Sequence, residues 1–224
     1  MIEIRNLCKT FVLNGRHKVV ADNISAVFPD RTVVAILGRN GAGKSSLLKM
    51  LSGSMDPDSG EVISTGTISW PVGFAGSFHP EMTGLQNVRF IARVYGVDTA
   101  ELVDFVVDFA GLGQHFYLPV RTYSSGMRSR LAFGVSMGIH FETYLVDEVT
   151  AVGDAAFREK SEHLFAERVT QSGAIMVTHN MAQVKRLCNR AGVLEDGCLT
   201  LYDDVDEAIA RHRELMKTGK ANSG

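Results

Sequence analysis

Residues 32–46 read TVVAILGRNGAGKSS, a short apolar run followed at once by three glycines, one lysine and two serines. Thr32 to Leu37 is nearly all apolar, the pattern of a strand buried on both faces of a parallel sheet. Gly38-Arg39-Asn40-Gly41-Ala42-Gly43-Lys44-Ser45 then fits G-x-x-x-x-G-K-[ST], with Ser46 behind it. Glycines let backbone N–H groups approach phosphate oxygens closely. A helix opening at Lys44 adds the partial positive charge of its N-terminus. Lys44 can reach the β- and γ-phosphates, and the Ser45 hydroxyl can ligate Mg²⁺. A glycine-rich turn matching by accident would have no reason to sit between a buried strand and a helix. The expected ligand is a nucleoside triphosphate, and the expected fold class is α/β around a phosphate loop.

The chain has 224 residues, 45% of them hydrophobic and 21% charged, as in an ordinary soluble globular protein. Its formal net charge is −2, so no global field recruits nucleic acid. The start, MIEIRNLCKT, lacks the apolar core of a secretory signal. Spanning a bilayer takes about 20 mostly apolar residues. The best stretch, Leu131 to Phe141, is shorter and contains Ser136 and His140. The chain is expected not to cross a membrane by itself. Cys8, Cys188 and Cys198 show no metal-ligand spacing and read as reduced thiols in or near a core.

Strands are expected at Met1 to Phe11, Lys18 to Phe28 and Glu61 to Val72, with turns at Asn14-Gly15 and Asp58-Ser59-Gly60. The helix from Lys44 should end at Gly53 with Leu47, Leu48 and Leu51 inward. From Leu85 to His140 the apolar period becomes helical, interrupted by a looser segment between Gly111 and Tyr123. Thr143 to Val146 and Ala174 to Thr178 read as buried strands, with a helix from Asp154 to Val169 between them. Ala191 to Tyr202 reads as a hairpin turning at Asp196-Gly197. Asp203-Asp204 can cap a closing helix. The expectation is one domain over 1–224, with a core at about 1–80 and 142–224 and a helical insertion at about 81–141.

A magnesium–triphosphate site needs a second oxygen ligand and a group that acts on the attacking water. Asp147 and Glu148, ending TYLVDE, supply both after a buried strand: Asp147 for the metal, Glu148 as base. A solvated acidic pair is the alternative when the two are taken alone. His179 lies just past the next strand, where ligands gather in open α/β sheets. It either donates to the γ-phosphate or is structural.

Many phosphate-loop proteins share these parts. The discriminating run is Tyr123-Ser124-Ser125-Gly126-Met127, two hydroxyls and a glycine opening a helix, which is either an ordinary N-cap or a second anion-binding geometry. With this run the chain resembles the ABC-type ATPases over nearly its whole length. Ser124-Ser125-Gly126 is similar to that family's signature, with Tyr123 in place of its leading leucine and Met127 in place of its glutamine. Asp147-Glu148 resembles its magnesium-and-base pair, Ala151-Val152-Gly153-Asp154 its D-loop, and His179 its switch histidine. Phe11 matches the adenine-stacking aromatic, a core phenylalanine being the alternative. The resemblance implies an ABC nucleotide-binding domain of RecA-like α/β core, with an antiparallel β subdomain and a helical insertion subdomain. It also implies a homodimer sandwiching two ATPs, so that Asp154 and the signature of one copy meet nucleotide on the other. The family's loop glutamine is missing; His79 stands nearest its position, and Gln86 falls later in a predicted helix. Imidazole is a poor magnesium ligand, so His79 reads as a water-orienting or coupling residue.

ISWPVGFAGSF, TGLQNVRFIARVYG, TYSSGMRSRLAFGVSM and YLVDEVTAVGDAAFREK most resemble the ATPase subunits of capsular-polysaccharide exporters. That branch implies a peripheral subunit on the cytoplasmic face of the inner membrane and a separate permease carrying a lipid-linked polysaccharide. Exporters of O-antigen or teichoic acid remain the alternative, and a soluble ABC ATPase outside transport a further one. The end at Gly224, without a following carbohydrate-binding domain, is expected of the capsule branch.

Overall fold

The computed structural model describes residues 1–13, 15–74, 76, 78–147 and 154–221, with backbone alone at 13 and 218–221. Ile2–Leu13 (β1) and Arg16–Phe28 (β2) form an antiparallel hairpin in which Phe28 lies opposite Ile2 and Lys18 opposite Phe11. Ser59–Ser64 (β4) pairs with the other edge of β1, giving a three-stranded antiparallel sheet. Period-two alternation sends Ile2, Ile4, Ile24 and Phe28 into the core from this sheet.

A second sheet has six strands: Val33–Leu37 (β3), Ile68–Pro71 (β5), Thr143–Asp147 (β6), Gly173–Val177 (β7), Arg190–Glu195 (β8) and Cys198–Tyr202 (β9). Their order is β5-β6-β7-β3-β8-β9, and only the β8–β9 pair is antiparallel. Every residue of β3 and β7 is buried, which is why both read as unbroken apolar runs. Lys44–Leu51 (α1) packs against β2 of one sheet and β5, β6 and β7 of the other. Leu47, Leu48, Met50 and Leu51 share one core cluster with Ile4 and Ile24 on one side and Ile36, Leu145 and Ile175 on the other.

The stretch expected as one strand, 61–72, is two. Ser64 Oγ donates to the Gly66 carbonyl and accepts from the Gly66 N–H, turning the chain there. β4 therefore stays with β1 while β5 pairs with β6. A helix not expected from the sequence, Met181–Leu187 (α6), is started by Asn180, whose side chain accepts from the Ala182 and Gln183 amides. Val205–Ala221 (α7) closes the chain, and Asp204 accepts from the Asp206 N–H at its start.

The strands with α1, α6 and α7 form one compact unit; residues 72–140 and 154–168 form the second. The second unit holds Gly84–Tyr95 (α2), Thr99–Ala110 (α3), Ser125–Gly138 (α4) and most of Ala155–Gln171 (α5). Val88 and Ile91 of α2, Val106 and Phe109 of α3, and Leu131 and Phe133 of α4 make its core. Phe109 stacks on Phe133 with ring centroids 5.8 Å apart and meets Phe157 edge-on at 5.2 Å. The looser segment contains two 3₁₀ turns, Gly113–Tyr117 and Val120–Thr122, anchored by buried Phe116 and Val120. Among the described residues, no helix is long and apolar enough to cross a membrane.

Candidate nucleotide site

In the parallel sheet Ile36 of β3 stands opposite Val177 of β7, which stands opposite Asp147 of β6. The chain thus leaves three neighbouring strands at one level. Gly38 follows two residues after Ile36, His179 two residues after Val177, and Asp147 ends its own strand. This carboxyl edge is where open α/β sheets collect ligands.

The loop between β3 and α1 is shaped by what cannot carry a side chain. Gly43, the residue before α1, has φ 107°, and a methyl group there would lie 2.8 Å from Cβ of Val20. A methyl on Gly38 would lie 2.5 Å from the Leu194 carbonyl oxygen. No side chain caps α1 and no acid sits in its first turn, so the first-turn amides remain available to an anion. The Lys44 ammonium donates to the Gly38 and Arg39 carbonyls at 2.8 and 3.0 Å, which holds it over the loop. Ser45 is exposed and Ser46 half-buried. Arg39, Asn40, Gly41 and Ala42 line a cavity of about 410 Å³ together with Lys18 and Asp196.

Asp147 is half-buried at the end of β6. Glu148, and Ala151 to Gly153 after it, lie outside the described residues. The turn carrying exposed His179 is fixed on both sides. The Asn180 N–H donates to Thr178 Oγ1 at 3.1 Å, and Thr178 Oγ1 donates to Gln183 Oε1 at 3.2 Å. As magnesium ligands, the Ser45 hydroxyl and the Asp147 carboxylate are hard oxygen donors, and one or two such groups beside phosphates suit that ion. Among the described residues no cluster of three or more His, Cys, Asp or Glu gathers to hold a metal.

Phe11 is half-buried and outside the core. Opposite Lys18 in the hairpin, it shares a face with that lysine, and the Lys9 ammonium lies 5.8 Å from its ring centroid. Sequence reasoning missed Lys18, although its pairing with Phe11 on an alternating hairpin was a usable signal. Its ammonium would stand 3.1 Å from a methyl placed on Gly41, so it reaches the phosphate loop. His212 of α7 was missed as well. It is 7% exposed with Nδ1 unpartnered, and burial, then the charges of Lys44 and His179, push its pKa below the ordinary imidazole value.

A second hydroxyl-lined helix start stands in the helical unit. Ser124 Oγ accepts from the Met127 N–H at 3.2 Å, so the N-cap reading holds, while Ser125 stays exposed. The first turn of α4 has no acid. A cavity of about 310 Å³ is lined by Leu112, His115, Ser124, Gly126, Met127 and Arg130. Arg130 donates to Asp154 at 2.6 Å and lies 4.8 Å from the Phe157 ring centroid. Asp154 also accepts from the Phe157 N–H at 2.9 Å, and these contacts, the backbone amide foremost, hold its pKa below the usual carboxylate range. His79 Nδ1 accepts from the Glu81 N–H at 3.3 Å, which leaves Nε2 to carry the proton of a neutral ring. Gln86 is committed elsewhere: its side chain accepts from the Thr83 N–H and its own N–H donates to Thr83 Oγ1, a capping box on α2.

A phosphate loop between a buried strand and an uncapped α1, with an acid ending a strand two places away in the same parallel sheet, defines a phosphate-loop nucleoside triphosphatase. The family model described as ABC transporter matches residues 21–151, and the chain belongs to that family. It is 47% identical over 217 residues to the polysialic acid transport ATP-binding protein KpsT of Escherichia coli, covering 95% of this chain and 96% of KpsT. It is 41% identical to the ATP-binding protein BexA of Haemophilus influenzae, covering 97% of this chain and 100% of BexA. Its fold is similar to a dimeric ATP-binding cassette, MJ0796, solved in a post-hydrolysis state bound to ADP and Pi. That match has a TM-score of 0.74 at 21% identity and covers 90% of this chain and 98% of the other.

Proposed function

We propose that this chain is the ATP-binding and ATP-hydrolysing subunit of a capsular-polysaccharide exporter. It acts as a homodimer on a separate transmembrane permease at the cytoplasmic face of the inner membrane. The cargo is a lipid-linked polysaccharide contacted mainly by the permease. The observation that carries this reading is the phosphate loop over α1, in a chain that a polysialic acid transport subunit matches almost end to end.

Each residue then has a task. Phe11 stacks on adenine, and the amides of residues 38–46 wrap the phosphates. Lys44 exchanges two neutral carbonyl partners for the anionic β- and γ-phosphates, so that its charge meets an opposite one. Ser45 and Asp147 hold Mg²⁺, which when bound draws negative charge off the phosphates. Glu148 takes the proton of the attacking water, and His179 donates to the γ-phosphate as charge develops there. Ser124, Ser125, Gly126 and Asp154 of one copy close on the nucleotide of the other. Hydrolysis removes that bridge and the pair separates. His79 orients water or couples to the permease, and the whole of 1–224 works as one ATPase domain with the helical insertion at about 81–141.

The test is co-expression with its permease. The chain should sediment with membranes only when the permease is present. Glu148→Gln should lower turnover by about 10²–10⁴-fold while ATP binding persists, and glycan should then fail to reach the cell surface. Sedimentation without a permease, or normal surface glycan in the variant, would overturn the reading.

A further inference from the structure

The segment before α4 is laced to the segment before α2. Val120 N–H donates to the Met82 carbonyl and Arg121 N–H to the Pro80 carbonyl, both at 2.9 Å. Thr83 and Pro119 form an antiparallel bridge, and Arg121 Nε donates to the Glu81 carboxylate at 3.1 Å. The α2 side of this lacing is fixed from within by Asn87, which is 1% exposed. Its side chain accepts from the His79 N–H and donates to the carbonyls of His79, Met82 and Thr83.

At the end of the lacing, one residue before Ser124, stands Tyr123, 3% exposed. Its hydroxyl rests against Gly84, the first residue of α2. A methyl group on Gly84 would run into that hydroxyl and would lie 2.9 Å from the Phe116 carbonyl oxygen. The hydroxyl completes no hydrogen bond, yet the Gly84 N–H faces it at the positive end of α2. A buried hydroxyl so placed costs free energy that an aliphatic side chain would not. Leucine, the residue its family resemblance leads one to expect, would fill space there without that cost. Gly84 itself gains nothing as a helix former, since alanine is better at any ordinary helical position. Two locally unfavourable choices that fit each other point to a purpose in the contact.

We infer that Tyr123 and Gly84 form a matched contact that joins the His79–Thr83 turn and the start of α4 into one piece, so that α2 as well as α4 positions Ser124. Tyr123 is a positioning residue and touches no nucleotide. A shift of the His79 turn is carried to the Ser124 hydroxyl through this contact. The consequence for turnover rests on the proposed role of Ser124 towards a partner copy's ATP; the contact itself does not.

The experiment uses the full chain carrying Glu148→Gln, with Gly84→Ala as the first change. Amide hydrogen exchange at Ser125 to Met127 should quicken about tenfold or more, since a local opening would no longer be held by the contact. The ATP concentration needed to pair two copies should rise by a similar factor, while ATP affinity of the single copy changes by no more than about twofold, because the phosphate loop belongs to the other unit. Adding Tyr123→Leu makes room for the methyl group and should return both readouts towards the parent. Unchanged exchange in a folded Gly84→Ala chain, or a double variant no better than the single one, would show plain packing and overturn the inference. If Gly84→Ala does not fold, Tyr123→Ala takes the ring and hydroxyl away from Gly84. Faster exchange at Ser125 to Met127 supports the contact, and parental exchange refutes it. Ser124→Arg is measured alongside. Should it pair normally, the role of Ser124 fails, while the exchange data still decide the contact.

Discussion

His212 enters a neighbourhood already rich in positive charge. Its pKa is lowered by burial and by Lys44 and His179, so the folded protein keeps this ring neutral to a lower pH than the unfolded chain does. Below the ordinary imidazole value of about 6.5 the unfolded state binds the extra proton, and stability is lost as pH falls through that value until the folded pKa is reached. His140, lowered by burial and Arg168, acts in the same direction. His212→Leu should therefore flatten, without abolishing, the fall of Tm between neutral pH and pH 5. It should cost little at neutral pH, since Nδ1 has no partner to lose. Thermal melts of both proteins across that range check this, and parallel profiles would exclude His212 as a contributor. The residues legible in the sequence were those ending buried runs: Lys44, Asp147 and His179 each follow a strand whose apolar pattern announces it. His212 sits in a polar helical stretch, and it is the packing of α7 on β3, β8, β9 and α6 that brings it inward.

Among elements, the turn before α2 depends most heavily on one side chain. Asn87 accepts from one amide and shares its side-chain NH2 among three carbonyls from a position with almost no access to water. Asn87→Ala leaves the three carbonyls their backbone donors but takes the acceptor from the His79 N–H, and should destabilise the fold by about 1–3 kcal/mol, seen as a lower denaturant midpoint with an unchanged slope. An unaltered midpoint would mean that water replaces the amide. The capping box Thr83-x-x-Gln86 is a local sequence pattern, and the helix it starts was expected close to where it forms. β3 and β7 were legible for a similar reason, because burial on both faces leaves an unbroken apolar run. The division of 61–72 into β4 and β5 was not, since the choice of sheet is made by distant partners, β1 and β6. α6 was also missed, being too short for an apolar period to show; its start is signalled only by Asn180.

At the scale of the molecule, the two serine-bearing helix starts belong to different compact units, uncapped α1 to the first and Ser124-capped α4 to the second. That separation makes their functions separable by mutation. Ser124→Arg removes an N-cap oxygen, which costs about 1 kcal/mol by itself, and places a long cationic side chain where Ser124 and Gly126 line the α4 cavity. The phosphate loop of the other unit keeps Lys44, Ser45 and its amides, so a single copy should bind ATP with near-parental affinity. Pairing is another matter if α4 of one copy must close on the nucleotide of the next, because the arginine fills the space the γ-phosphate would enter. In the Glu148→Gln background, light scattering with Mg-ATP should show parental chains doubling in mass and Ser124→Arg chains remaining single. Ser124→Ala separates the effects: it loses the cap yet leaves the space, so it should still pair, at a higher ATP concentration. If Ser124→Arg pairs at the parental ATP concentration, α4 does not meet a partner's nucleotide, and the cavity at its start serves the fold alone.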